Sequence, residues 1–246
     1  MLASFGIRQP DAKHDPMTTE TLARRIFLAS LAGLVVAAAF FAAFPGTDLA
    51  VSRLFGDASG FAMARMPFWI NIRNAFIAST DGLMLFLLAL LAVNALREIP
   101  LLLSCRQIGF ALLAYALGPG LVANGIFKSF WGRARPRNII EFGGNRLFTP
   151  PLLPADQCSH NCSFVSGEGS AVMTVALIAV LLMWPRLKPR GRILAIIGAA
   201  AFALSGSALR VAFGGHFLSD VVFAALMMGI VVPSAWLIVA RRIVPV

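Results

Sequence analysis

The chain has 246 residues, 59% of them hydrophobic and only 13% charged. A soluble globular domain carries about 25% charged and about 45–50% apolar residues, and three cysteines are too few for a disulfide-dense secreted scaffold. A polytopic membrane protein is what remains, and its net charge of +10 reads as the Lys and Arg excess of cytoplasmic loops rather than as a nucleic-acid footprint.

Apolar runs of the roughly 20 residues that cross a bilayer are expected in chain order at Ile26–Phe44, Ala75–Leu96, Ile108–Phe127, Ala171–Trp184 (extended towards Gly167), Ile193–Leu209 and Phe217–Ala240. The fold class is therefore all-α, a six-span helical bundle over residues 26–246 behind a tail of residues 1–25. Twelve of the 21 basic residues fall on one side: Arg8, Lys13, Arg24, Arg25, Arg97, Arg106, Arg186, Lys188, Arg190, Arg192, Arg241 and Arg242. Positive-inside places that side, with both termini, in the cytoplasm. Arg24-Arg25 before Ile26-Phe27-Leu28 also has the look of a twin-arginine export signal; without a small-residue cleavage site it is read as the flank of a retained span. Leu49–Arg73 mixes Phe55, Phe61, Phe68 and Trp69 with Arg53, Arg65 and Arg73, which suits either a segment lying on the outer leaflet or a loop covering the bundle.

Three polar clusters, distant in sequence, converge on the other side. Lys128–Pro136 leaves the third span, Ser163–Ser170 enters the fourth, and Arg210–Asp220 joins the fifth to the sixth. Polar groups at membrane depth are costly and mark function. Each cluster suits phosphate: Lys128, Arg135 and Arg210 supply a point charge and two planar forks of donors, and Ser166-Gly167 presents backbone amides at a helix start. His216 and Asp220, four apart, stack on one face of a helix, where the carboxylate holds the imidazole in one tautomer and stabilises its cation.

The ordered pattern Lys-x6-Arg-Pro (Lys128, Arg135, Pro136), Ser166-Gly167 and Arg-x5-His-x3-Asp (Arg210, His216, Asp220) resembles the type 2 phosphatidic acid phosphatase superfamily, over about residues 110–240. The resemblance implies that Lys128, Arg135 and Arg210 bind phosphoryl oxygens, that His216 attacks phosphorus to form a phosphohistidine, and that Asp220 orients it, with no metal and no other cofactor. The sequence departs from that pattern at Glu168, where the family carries a proton-donating histidine, and at Leu209, where it carries a serine. Beside a phosphate, Glu168 is expected to be protonated by like-charge repulsion and to serve as the general acid; His160 is the other candidate donor.

Of the remaining polar residues, Arg133 and Arg137 read either a headgroup or solvent, and Asp81 in the second span reads as a structural acid. Cys158 and Cys162, four apart in the outer loop, are placed to form a disulfide in an oxidising compartment. The expectation is a multi-pass enzyme of the bacterial inner membrane that hydrolyses a lipid phosphate at the periplasmic face. Its implied substrates are lipid A phosphate, undecaprenyl pyrophosphate, phosphatidylglycerophosphate and phosphatidate; no obligate protein partner and no nucleic acid are implied. A lipid-to-lipid phosphotransferase and a catalytically silent lipid-phosphate binder, the latter suggested by Glu168, stay open.

Overall fold

A computed structural model describes residues 17–97 and 101–240; Arg8, Lys13, Arg241 and Arg242, on which part of the expected orientation rests, lie outside the described residues. Six helices are long and apolar enough to cross a membrane: α1 (Thr19–Ala43), α3 (Pro67–Arg97), α4 (Cys105–Phe130), α5 (Gly167–Met183, continued by a tight turn to Arg186), α6 (Pro189–Ala212) and α7 (Leu218–Ala240), with a short α2 (Thr47–Ser52) after the first. The only regular strand pairing among the described residues is a two-residue ladder, Gly56–Asp57 against Gly60–Phe61. Chain direction alternates, so the ends of α1, α4 and α6 meet the starts of α3, α5 and α7 at one end of the bundle, called here the site end.

Two helices start well before their apolar runs. The first begins at Thr19 rather than Ile26, because Thr18 caps it by accepting from the Thr21 amide at 3.1 Å and Glu20 pairs with Arg24 one turn on; these are the standard devices for satisfying open amides at a helix start. The segment between the first two spans is equally divided: α3 starts at Pro67, so Arg73 stands on a membrane helix and not in an interfacial loop. Phe61 is buried against Phe142 over the site end, whereas Leu54, Met66 and Phe68 are exposed.

Helix α5 is the axis of the bundle. Packed against α6 and α7, it buries residues on every side, whereas α1 and α6 turn most of theirs outward, as a bilayer permits. Away from the site end the core is purely apolar, with Leu87, Ile108, Phe110, Leu181 and Val232 in one cluster. Around Pro119, α4 widens to a π-helix over Ala116–Phe127, and the Asn124 side chain donates to the Pro119 carbonyl at 2.7 Å, replacing a ladder bond that the widened turn disturbs. The loop from Trp131 to Val165 has little regular structure, but side chains fasten it: Trp131 Nε1 donates to the Pro151 carbonyl at 2.8 Å, and the Leu147 amide donates to Gln157 Oε1 at 3.0 Å. Gly132 has φ +67°, and a Cβ there would fall 1.6 Å from the Ala155 carbonyl oxygen, so this crossing needs glycine.

Candidate functional site

The three sequence clusters meet at the site end. Lys128 closes α4 and lies against the start of α5: a Cβ on Gly167 would stand 2.7 Å from Lys128 Nζ and 2.6 Å from Asn124 Oδ1. Ser166 caps α5 by accepting from the Gly169 amide at 3.1 Å, and its own amide donates to the Asp220 carbonyl at 3.1 Å, which locks the starts of α5 and α7 together. Arg210, buried at the end of α6, lies against the Gly215 backbone. Its Nε makes no hydrogen bond among the described residues and approaches only Glu168, at 3.4 Å. A buried guanidinium with a free donor is ready for an anion. Arg135 is half-buried and donates to the carbonyl and side-chain oxygens of Asn161 at 2.7 Å.

His216 sits in the turn before α7, so it and Asp220 are not stacked on one helix as the spacing suggests. Its Nδ1 lies 2.6 Å from the Ser163 carbonyl oxygen and 3.7 Å from Asp220. A carbonyl only accepts, so Nδ1 carries the proton and Nε2 keeps its lone pair. The tautomer is thus fixed by the Ser163 backbone, and Asp220 acts on the ring as a nearby charge. Burial drives the His216 pKa down to about 4, against the opposing pull of Asp220, and keeps the imidazole neutral at physiological pH.

The Asp220 carboxylate is held elsewhere. It accepts from the Ser163 hydroxyl, from the Phe217 amide at 2.8 Å and from Arg133 Nη1 at 2.6 Å. The Phe217 contact is the backward half of a capping box. Arg133 is wholly buried, which corrects both sequence expectations for it: it faces neither headgroup nor solvent. Besides Asp220 it bonds Asp48 at 2.7 Å, the Ser219 hydroxyl at 2.9 Å and the Thr149 carbonyl at 2.9 Å, and lies 4.2 Å from the Phe217 ring centroid. Asp48, from α2, also accepts the Ser219 amide at 2.8 Å and so caps α7 from across the molecule. Burial pushes the Asp48 carboxyl up, and Arg133 pulls it back.

Glu168, in the first turn of α5, which the sequence reading expects to be protonated beside a phosphate, has two cationic neighbours. Arg73 clamps it with two hydrogen bonds, its Nε at 3.0 Å, and Arg210 stands on its other side. Two guanidinium groups on one carboxyl suit the ionised form. The sequence reading gave no site role to Arg73, Asp48 or Ser163 individually; nearly two turns inside a span, an arginine such as Arg73 is itself a signal. His160 lies in the outer loop on the wall of a cavity described below. Cys158 and Cys162 are joined by a disulfide, and Asp81 accepts from the Tyr115 hydroxyl at 3.2 Å. Among the described residues no group of three or more His, Cys, Asp or Glu is placed to hold a metal ion.

Comparison with known proteins agrees with this architecture. Residues 108–243 match the model of the PAP2 superfamily. A lipid A 4'-phosphatase of Rhizobium leguminosarum is 33% identical over 208 residues, 76% of this chain and 85% of that protein. A lipid A 4'-phosphatase of Francisella tularensis subsp. novicida is 40% identical over 136 residues, 55% of this chain and 58% of that protein, so the match spans little more than half of the Francisella relative. The crystal structure of a transmembrane PAP2-type phosphatidylglycerolphosphate phosphatase from Bacillus subtilis superposes with a TM-score of 0.54, covering 89% of this chain and 94% of that one at 21% identity, a likeness of fold. Arg73 and Asp48 fall outside the family-matched residues.

Proposed function

This chain belongs to the PAP2 superfamily, and from that premise we propose that it is a membrane-integral phosphatase, removing a phosphate from a lipid headgroup through a phosphohistidine on His216. The observation that carries this reading is the commitment of His216 Nδ1 to the Ser163 carbonyl, which leaves Nε2 as a neutral nucleophile beside the Arg210 donor. In the first step the Nε2 lone pair forms a bond to phosphorus while the ester P–O bond breaks, its electron pair leaving on the lipid oxygen. The arriving phosphate draws Arg210 away and presents like charge, so the Glu168 carboxylate takes up a proton from water as the lipid binds and delivers it to that oxygen. Lys128, Arg135 and Arg210 hold the equatorial oxygens. In the second step Glu168, again a carboxylate, takes a proton from water as it attacks phosphorus, the P–N bond breaks, and His216 returns to its neutral form.

The names of the relatives point to a lipid A phosphate as substrate; undecaprenyl pyrophosphate and phosphatidylglycerophosphate are the others to test. A cavity of about 390 Å³ runs from Arg73 and Glu168 between α3, α4 and α6 to Asp81 and Tyr115, a route by which a lipid enters from the membrane plane. The placement of basic residues in the sequence supports a periplasmic site and cytoplasmic termini. The Arg73–Glu168–Arg210 grouping favours one second reading, a binder without turnover, since a carboxylate fastened to Arg210 competes with phosphate. The test is free phosphate release by detergent-purified protein from these lipids without added metal, together with acid-labile, alkali-stable labelling from a ³²P-lipid. The expected result is both signals in the parent and neither in His216→Ala. Binding without release supports the silent binder, and loss of label to an acceptor lipid supports the transferase.

A further inference from the structure

A basic cavity shares Arg135 with the site. It measures about 310 Å³ and is lined by Arg135, Arg137, Arg146, His160 and Asn161, among other residues. Arg135 is common to the cavity and to the catalytic cluster, and it is the residue whose guanidinium is turned towards Asn161. Arg137 and Arg146 carry the unanswered charge: among the described residues neither guanidinium has an ion pair or a hydrogen bond. Both side chains are exposed, and like charges gathered along one concave wall raise the local positive potential and favour a counter-anion.

The backbone around this cavity is held in register with the reaction centre. The Arg137 amide donates to the Gly214 carbonyl at 3.0 Å, in the same turn that carries His216, and Arg146 is bridged to Ile139 by bonds between its backbone and Asn138 and Ile140 at 2.9 Å. The five-residue ring closed by Cys158–Cys162 presents His160 and Asn161 as the opposite wall. The separation between the two anion positions is therefore fixed by the fold, as a ruler between two groups of one ligand requires.

We propose that this cavity is a second anion subsite, which takes a phosphate or carboxylate of the headgroup remote from the ester being cleaved and selects lipids with two separated anionic groups. The proposal rests on the phosphatase reading for the identity of the ligand, and its test is a binding measurement that does not need turnover. The full chain in detergent, with His216→Ala to keep ligands intact, is titrated with bisphosphorylated lipid A and with each monophosphorylated form. The bisphosphorylated lipid is expected to bind about tenfold more tightly, the size of one charge-assisted contact. Arg137→Gln combined with Arg146→Gln is expected to erase that advantage while leaving monophosphorylated binding unchanged. Equal affinities in the protein with both arginines intact overturn the subsite whatever the variants do, as does an advantage that survives their removal. Inorganic phosphate that competes equally with all three lipids overturns the headgroup assignment. A persistent two-anion preference in a protein whose parent releases no phosphate from any lipid upholds the subsite and overturns the phosphatase reading instead.

Discussion

Arg133 and Arg135 stand two residues apart on one loop, and their surroundings differ in kind. Arg133 has no exposed surface and is answered by two carboxylates, a hydroxyl, a carbonyl and an aromatic face. Arg135 is half-buried and, among the described residues, is held only by the oxygens of one asparagine. Neutral acceptors fix a guanidinium in place without cancelling its charge, whereas carboxylates cancel it. The same contrast separates the two clusters they belong to. Asp48, Arg133, Ser219 and Asp220 form a closed network that holds helices, and Lys128, Arg135, Arg210 and Arg73 form an open one in which Glu168 is the single carboxylate described. A family motif read as one basic string thus contains one structural cation between two, Lys128 and Arg135, that the proposed mechanism turns to substrate.

The sharpest way to break that contrast is Arg133→Met. It leaves Asp48 and Asp220 buried without their shared partner, and the expected cost is about 3–5 kcal/mol, read as a large drop in the unfolding midpoint of the detergent-solubilised protein, with turnover lost as well. A midpoint close to the parent's would show that Arg133 belongs with the substrate-facing cations after all.

Acid lability is the next largest effect. The His216 pKa falls from about 6.5 in the unfolded chain to about 4 in the fold, so between those values the unfolded chain binds the extra proton and stability declines as pH falls, by up to about 1.4 kcal/mol per pH unit. Above about 6.5 this contribution is constant. His216→Asn removes that slope, and the difference between the two pH profiles isolates it from Asp48, which titrates in both. Parallel profiles would contradict a buried neutral imidazole.

Two milder substitutions test the open cluster. Gly167→Ala drives a methyl group onto Lys128 Nζ and Asn124 Oδ1, and kcat/KM is expected to drop about tenfold, or 1.4 kcal/mol, with little change in unfolding midpoint. Arg135→Lys keeps the charge but cannot span both Asn161 oxygens; steady-state kinetics should register a loss of about two- to fivefold, well under 1.4 kcal/mol. A larger loss of stability than of activity in either variant would erase the distinction between clusters.

What was legible in the sequence was whatever depends on local composition. Six apolar runs gave six helices, and the spacing of Lys128, Ser166, Gly167, Arg210 and His216 brought together residues that the fold does bring together. The missed features are all contacts across long stretches of chain. The Ser163 carbonyl that sets the His216 tautomer leaves no mark in the sequence, because every residue has a carbonyl. Arg133 looked like surface because its partners, Asp48 and Asp220, lie 85 and 87 residues away. The cations around Glu168 were missed for the same reason: its clamp, Arg73, lies 95 residues earlier and outside the motif region.

The reach of Asp48 to the start of α7 has a consequence for biosynthesis. Asp48 leaves the ribosome early and Ser219 and Asp220 late, so until the final helix inserts, the Arg133–Asp48 pair lacks the Asp220 carboxylate that completes it. A copy that stalls before its last helix carries an incomplete charge cluster, with Arg133 answered by Asp48 alone of its two carboxylates.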